Sequence, residues 1–383
     1  MKITYLLGSV GKTGGNIVLF QHMEALAKRG HTVIMLTPYD KKEWVPGTLN
    51  DVMKSRDVGY KGIWSILKSI QRWLKKHFSP LEKRLSSLYV RRPLEYANWI
   101  TVRLVNQWEP SDITIATHSY TAHAAALLSD RTRAYYHMQG YEPWFTDNKE
   151  SQEISLLSYH YPINKIANCK WLHDKISSIK GESIGLVRPG LNHDIFKPLR
   201  DIEEKYTNVK EIHIVSYADD RPLKGWNESL KAMEVVFARF SENNRIKIKW
   251  SVFGSIINYK TSIPIHYHGY LSHQELAELY SNAHIVFIPS WFESFPLQPI
   301  EAMACGAAVC TTKIGTEDYA KDGETAIVIP PKDIDALSNS IIGLIQNPEK
   351  MHDLVKNGVI EARKFNWKQS AQELMNVLNL ADK

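Results

Sequence analysis

No run of about 18 apolar residues occurs anywhere in this chain of 383 residues, so nothing in it reads as a bilayer-spanning helix. Cysteine is scarce. Cys169, Cys305 and Cys310 form an odd set with no Cys-x-x-Cys pair, which excludes a disulfide framework and a zinc cluster and fits a reducing compartment. The opening Met-Lys-Ile-Thr-Tyr-Leu-Leu-Gly has too short an apolar stretch for a secretory leader and reads as a first strand. Internal repeats and low-complexity tracts are also lacking. These absences point to a cytoplasmic globular protein.

What is present is ordinary in amount and uneven in place. Hydrophobic residues make up 44% and charged residues 23%, and the length exceeds one core, so two domains are expected. The net charge is +6, but residues 54–92 alone hold eleven Lys/Arg against Asp57 and Glu82. Within that stretch Ile63, Ile66, Leu67, Ile70, Leu74 and Phe78 recur at helical spacing, with Lys68, Arg72, Lys75 and Lys76 on the remaining face. Two readings stand: an interfacial helix on an anionic membrane, with Trp64 and Trp73 as anchors, or a packed helix with a solvated basic face. No recognised nucleic-acid module accompanies the charge.

Strand and helix text alternates throughout, which predicts parallel, doubly wound sheets. Strands are expected over 3–7, 32–37, 113–117, 134–138, 165–167 and 185–187, then over 212–216, 248–253, 265–268, 284–289, 308–312 and 326–329. The polar stretch 199–210 is the linker candidate. The expected division is therefore 1–200, 201–366 and a terminal helical segment, 367–383, able to pack back on the first domain.

The most informative stretch runs from Trp291 to Gly306. Glu293 and Glu301 stand eight residues apart. There a buried strand passes through a loop rigidified by Pro296 and Pro299 into small-residue helix text over 302–308, with Glu301 expected on or near the first helical turn. Carboxylates accept hydrogen bonds from neutral hydroxyls, and open α/β sheets bind ligands at the strands' carboxyl ends. The helix N-terminus beside them suits a diphosphate. Capping chemistry alone also places acids in such positions. Gly8 to Gly15 follows the first strand, but Leu6 stands where a Walker A loop needs glycine. Gly14 and Gly15 read as a loop that lets a helix N-terminus approach a ligand, or as a plain βα turn. Arg221 and Lys224 follow the first strand of the second half, where a fork and a point charge suit a diphosphate. Asp219 and Asp220 complete no metal site with other residues.

Together these residues resemble the retaining glycosyltransferases of family 4. Glu293 to Glu301, continuing into Glu-Ala-Met-Ala-Cys-Gly, is similar to that family's EX7E signature. Gly14-Gly15, the 187–198 stretch VRPGLNHDIFKP, Lys224-Gly225, Phe253-Gly254 and His268-Gly269-Tyr270-Leu271 follow in the family's order. The resemblance implies a GT-B fold, two Rossmann-like domains facing a cleft, and transfer of a sugar from a nucleotide diphosphate donor without metal or cofactor. It gives Glu301 the donor ribose hydroxyls and Glu293 the transferred sugar. Lys224 and Arg221, helped by backbone near Ser294, Phe295, Pro296, Leu297 and Gln298, would receive the diphosphate.

The family's strand-end histidine falls on His137 or on Gln139, depending on whether histidine or Gly140 is aligned. His118, Glu142 and Trp144 would lie toward the acceptor. Gln139 to Phe145 resembles a bacterial subgroup that builds surface polysaccharides, so a glycan or lipid-linked acceptor at the inner face of the membrane is expected. Three positions depart from the pattern: Arg221 lies closer to Lys224 than in the family, Asn192 replaces an aspartate, and Pro296 replaces a glycine. A nucleotide-sugar 2-epimerase and a non-catalytic scaffold remain as alternatives.

Overall fold

The computed structural model describes residues 1–8, 13–38, 92–207, 209–241, 246–255 and 260–380. The basic stretch considered above lies outside the described residues, Arg92 excepted. The chain forms two compact units. Unit 1 takes residues 1–168, 173–186 and 374–383, and unit 2 takes 169–172 and 187–373.

Unit 1 is built on strands β1 (Lys2–Leu6), β2 (Thr32–Leu36), β3 (Ile113–Ala116), β4 (Arg133–Met138), β5 (Asn164–Ala167) and β6 (Gly185–Leu186). They form one parallel sheet in the order β2-β1-β3-β4-β5-β6. Strands covered on both faces read as unbroken apolar runs, and Ile3, Tyr5, Leu6, Ile113 and Ile115 have no exposed surface. Crossovers use α1 (Gly14–Lys28), α2 (Pro93–Gln107), α3 (Ser119–Leu127), α4 (Lys149–His160) and α5 (Lys170–Lys180). Helix α1 stops at Arg29-Gly30, where Gly30 takes a positive φ of 78° that ends helices well.

Unit 2 repeats the plan with β7 (Glu211–Ala218), β8 (Lys247–Gly254), β9 (His266–Tyr267), β10 (Ile285–Ile288), β11 (Ala308–Thr312) and β12 (Ile327–Ile329). Its parallel order is β12-β11-β10-β7-β8-β9. Trp250, Ile214, Phe287 and Met233 fill the core on one face. Helices α6 (Ile202–Tyr206), α7 (Trp226–Ser241), α8 (His273–Asn282), α9 (Leu297–Ala304), α10 (Ile334–Gln346), α11 (Pro348–Ala362) and α12 (Trp367–Val377) complete it, the end of α12 belonging to unit 1. The polar stretch 199–210 carries α6, capped by Asp201, with the Tyr206 hydroxyl donating to the carbonyls of His284 and Gly306.

In each sheet the strand order reverses once. In unit 1 the reversal lies between β1 and β3, and in unit 2 between β7 and β10. Adjacent crossovers leave a crevice at the carboxyl ends of such strands. Glycines 14 and 15 follow β1 and His118 follows β3. Lys224 follows β7 and Glu293 follows β10.

Candidate active site

The loop from β10 into α9 is held from below by the loop after β11. The Glu293 amide donates to the Ile314 carbonyl at 3.2 Å and the Phe295 amide to the Gly315 carbonyl at 3.1 Å. Gly315 has a φ of +88°, and a Cβ there would sit 2.3 Å from the Glu293 carbonyl oxygen. Only glycine allows that contact. Phe295 itself has a positive φ of 52°, a conformation that costs a non-glycine residue about 1 kcal/mol. Its buried ring packs against Tyr319 and Phe365, centroids 5.3 and 5.4 Å away, and the Tyr319 hydroxyl donates to the Pro296 carbonyl at 2.7 Å. The strained turn is thus held by an aromatic cluster.

Helix α9 starts at Leu297, earlier than the small-residue text suggested. Pro296 is its N-cap residue and makes no side-chain cap. Pro299 falls in the first turn, where a missing N–H costs nothing. The amides of Leu297 and Gln298 cannot be satisfied within the helix and form a small donor surface. The Phe295 amide is already spent on Gly315.

Lys224 reaches this loop from the next strand. After β7 the chain makes a turn over Pro222–Lys224 and passes through Gly225, whose φ is +71°. A Cβ at Gly225 would meet the Pro289 carbonyl oxygen at 2.4 Å, so the two loops run in close contact. The Trp291 amide donates to the Leu223 carbonyl at 2.8 Å. Lys224 Nζ then lies 2.5 Å from Glu293 Oε1, with side-chain exposures of 12% and 14%.

Arg221 is engaged by its neighbour. Its Nε and Nη2 each donate to Asp219 at 2.7 Å, and the Tyr217 hydroxyl donates to the same carboxylate at 2.8 Å. Burial pushes the Asp219 carboxyl up, but the bonds from Arg221 and Tyr217 outweigh it and hold the group down at about 2. Asp219, first considered as half of a metal pair, is the clamp that orients Arg221. Three of the guanidinium's five donors remain.

Glu301 sits in the second turn of α9, one turn deeper than expected. It is 7% exposed, and its carboxylate makes no hydrogen bond or ion pair among the described residues. Burial raises its carboxyl to about 8. A carboxylate left alone in a low-dielectric setting calls for hydrogen-bond donors from a ligand.

Unit 1 arranges its own candidates. Thr13 caps α1 by accepting from the Asn16 amide at 3.3 Å, and Gly14 and Gly15 open the helix. A Cβ at Gly15 would lie 3.3 Å from that of Gln139, so the Gln139 amide stands beside the glycine loop with its side-chain polar atoms unpartnered. His137 behaves differently. It has no exposed surface, its ring stacks on His22 at 5.3 Å, and burial lowers it to about 4.

His118 and Glu142 form a hub. The Glu142 carboxylate accepts from the Ser119 amide at 3.0 Å and from the Tyr136 hydroxyl at 2.6 Å, and lies 3.3 Å from His118 Nε2. His118 Nδ1 accepts from the Tyr120 amide at 3.3 Å, so the ring caps α3. Trp144 is partly exposed, with the Lys175 ammonium 5.2 Å from its ring centre.

Sequence reasoning missed Gly315, which bears on Glu293 only through a fold-dependent contact. It also missed Asp219 as the partner of Arg221. The two-residue spacing was visible, but acidic pairs suggest metals first.

Residues 200–360 match the family model described as glycosyl transferases group 1. The MMP alpha-(1->4)-mannosyltransferase of Mycolicibacterium hassiacum is 28% identical over 211 residues, which cover 53% of this chain and 50% of that protein. The O-antigen chain mannosyltransferase B of Escherichia coli is 30% identical over 117 residues, 30% of each chain. The chain thus spans about half or less of the length of these curated relatives. Anabaena Alr3699/HepE, solved in complex with UDP-glucose, superimposes with a TM-score of 0.68 at 15% identity, covering 99% of both chains. That likeness shows the fold, GT-B.

Proposed function

With residues 200–360 matching the model of the group 1 glycosyl transferases, we propose that this chain moves a sugar from a nucleotide diphosphate donor to a glycan or lipid-linked acceptor, with retention at the anomeric carbon. The observation that carries this reading is the pairing of Lys224 with Glu293 at the strand-order reversal of unit 2, beside a buried, unpartnered Glu301. Glu301 accepts from the ribose hydroxyls and Glu293 from hydroxyls of the transferred sugar. Lys224, the free donors of Arg221 and the amides of Leu297 and Gln298 meet the diphosphate.

As the anomeric carbon–oxygen bond breaks, negative charge grows on the leaving phosphate. Preoriented cations and amides stabilise that charge more than they stabilise the ground state. The acceptor oxygen adds on the same face and passes its proton to the departing phosphate oxygen. The protein's own cations supply the positive charge, so no metal is invoked. Of the two candidates at the end of β4, His137 has no exposed surface to offer a ligand, which favours Gln139 for the role of the family's strand-end histidine. Resemblance to an O-antigen mannosyltransferase supports a surface-polysaccharide acceptor.

A thermal-shift screen against UDP, GDP, TDP and ADP and their common sugars, with and without chelator, tests the reading. A ligand that binds only the native state must raise the melting temperature. We expect a base-selective shift, insensitive to chelator and lost in Glu301→Ala. No shift with any nucleotide would refute donor binding and leave a non-catalytic scaffold.

A further inference from the structure

Strands β7 and β8 depart from the pattern of β10, whose four residues are all apolar and buried. Central parallel strands are apolar on both faces. Here Ile212, Ile214, Ile248 and Trp250 enter the core on one face. The other face presents Glu211, His213, Lys249 and Ser251, with His213 paired in register to Lys249. This polar face and helix α8 enclose a cavity of about 630 Å³, a size typical of small-molecule sites. It opens near the amino ends of the strands, whereas Lys224 and Glu293 follow their carboxyl ends.

The floor is preorganised. His213 Nδ1 donates to the Asn282 carbonyl at 3.2 Å, so Nε2 accepts from the Ser251 hydroxyl at 2.8 Å. The His213 amide donates to His284 Nδ1 at 3.0 Å. Both rings are therefore neutral and fixed, and burial first, then neighbouring lysines, lowers each to about 4. Lys249 is half-buried in the wall and Arg200 stands at the rim. Neither makes an ion pair among the described residues. Exposed His268 also lines the space.

Three carboxylates, Glu211, Glu275 and Glu278, stand in water at the mouth. Glu275 is spent on the capping box of α8, accepting from the Ser272 amide at 2.8 Å. Not one of the three offsets the burial that disfavours charge on His213, His268 and His284, and Lys249, Lys205 and Arg200 push these rings further down. Among the described residues Lys249 is thus the one half-buried charge in the wall, while Arg200 and the three carboxylates stand exposed at the mouth. A lysine recessed behind exposed carboxylates is out of reach of an anionic membrane plane but within reach of a small anion.

We propose that this cavity is a second binding site, separate from the donor site, for a small phosphate-bearing metabolite held by Lys249, Arg200 and His268. The inference does not depend on the glycosyltransferase reading.

Isothermal titration of the full chain with inorganic phosphate, and separately with a hexose 6-phosphate, tests it. Saturable binding is expected, weakened about tenfold or more by Lys249→Gln and by Arg200→Gln, and unchanged in Lys224→Ala. Arg200 is exposed, so its variant keeps the test readable should Lys249→Gln lose stability. The imidazole NMR signals of His268 should move on binding. The proposal is overturned by no saturable binding up to about 10 mM. It is equally overturned by binding that Lys249→Gln and Arg200→Gln leave intact, or that Lys224→Ala abolishes, since the anion would then occupy the donor site.

Discussion

Glu301 shows how a single side chain can trade stability for binding. Its carboxyl is raised to about 8, above the ordinary carboxylate range. Between that range and pH 8 the folded chain therefore holds a proton that the unfolded chain has lost. Stability must then fall as pH rises through this window. Glu301→Gln removes the slope. At pH 9 the variant should be more stable than the parent by a few kcal/mol, at about 1.36 kcal/mol for each pH unit that separates the folded and unfolded titrations. At pH 5 the gap should nearly vanish. Urea denaturation at the two pH values measures it; equal gaps would show that burial does not hold the proton. The same variant should lose nucleotide binding, the usual cost of optimising a site for stability.

Among elements, the start of α3 depends on a residue from the turn after β4. Glu142 satisfies the Ser119 amide, the Tyr136 hydroxyl and His118 together. Tyr136 has no exposed surface, so Glu142→Ala strands buried donors. A loss of about 2–4 kcal/mol is expected, read as a lower urea midpoint. Were Glu142 merely an acceptor contact, activity would drop with the midpoint unchanged. Elements were also the most legible level. The apolar run Ile285–Ile288, and Ile113–Ala116 with its single threonine, mark strands buried on both faces. The short β9 was harder to delimit, because its two residues are exposed and carry no burial pattern. The start of α9 was misjudged because its prolines resemble loop text, although proline is tolerated in a helix's first turn.

At the scale of the whole molecule, the chain crosses from unit 1 to unit 2 near 186–187 and returns near 373–374. Arg188 ties these strands of chain together within unit 2. It binds Asp318 at 2.6 Å and Glu373 at 3.3 Å. The Asp318 side chain is 2% exposed, so Arg188→Ala leaves a buried charge with only the Lys170 amide at 2.8 Å. A loss of about 2–3 kcal/mol and faster protease cleavage near 187–190 are expected; unchanged cleavage would mean that the crossing is held elsewhere. Two α/β units and the residues Lys224, Glu293 and Glu301 were readable in the sequence. Contacts such as Gly315 against Glu293 were not, because they join loops that only the strand order brings together.

The isolated Glu301 has one more consequence, and it is calorimetric. At pH 7 most of the free protein carries this carboxyl protonated, while ribose hydroxyls bind best to its ionised form. Each donor molecule that docks should then expel close to one proton into the buffer. The measured heat of binding would vary with the buffer's own ionisation enthalpy, and the slope would count the protons released.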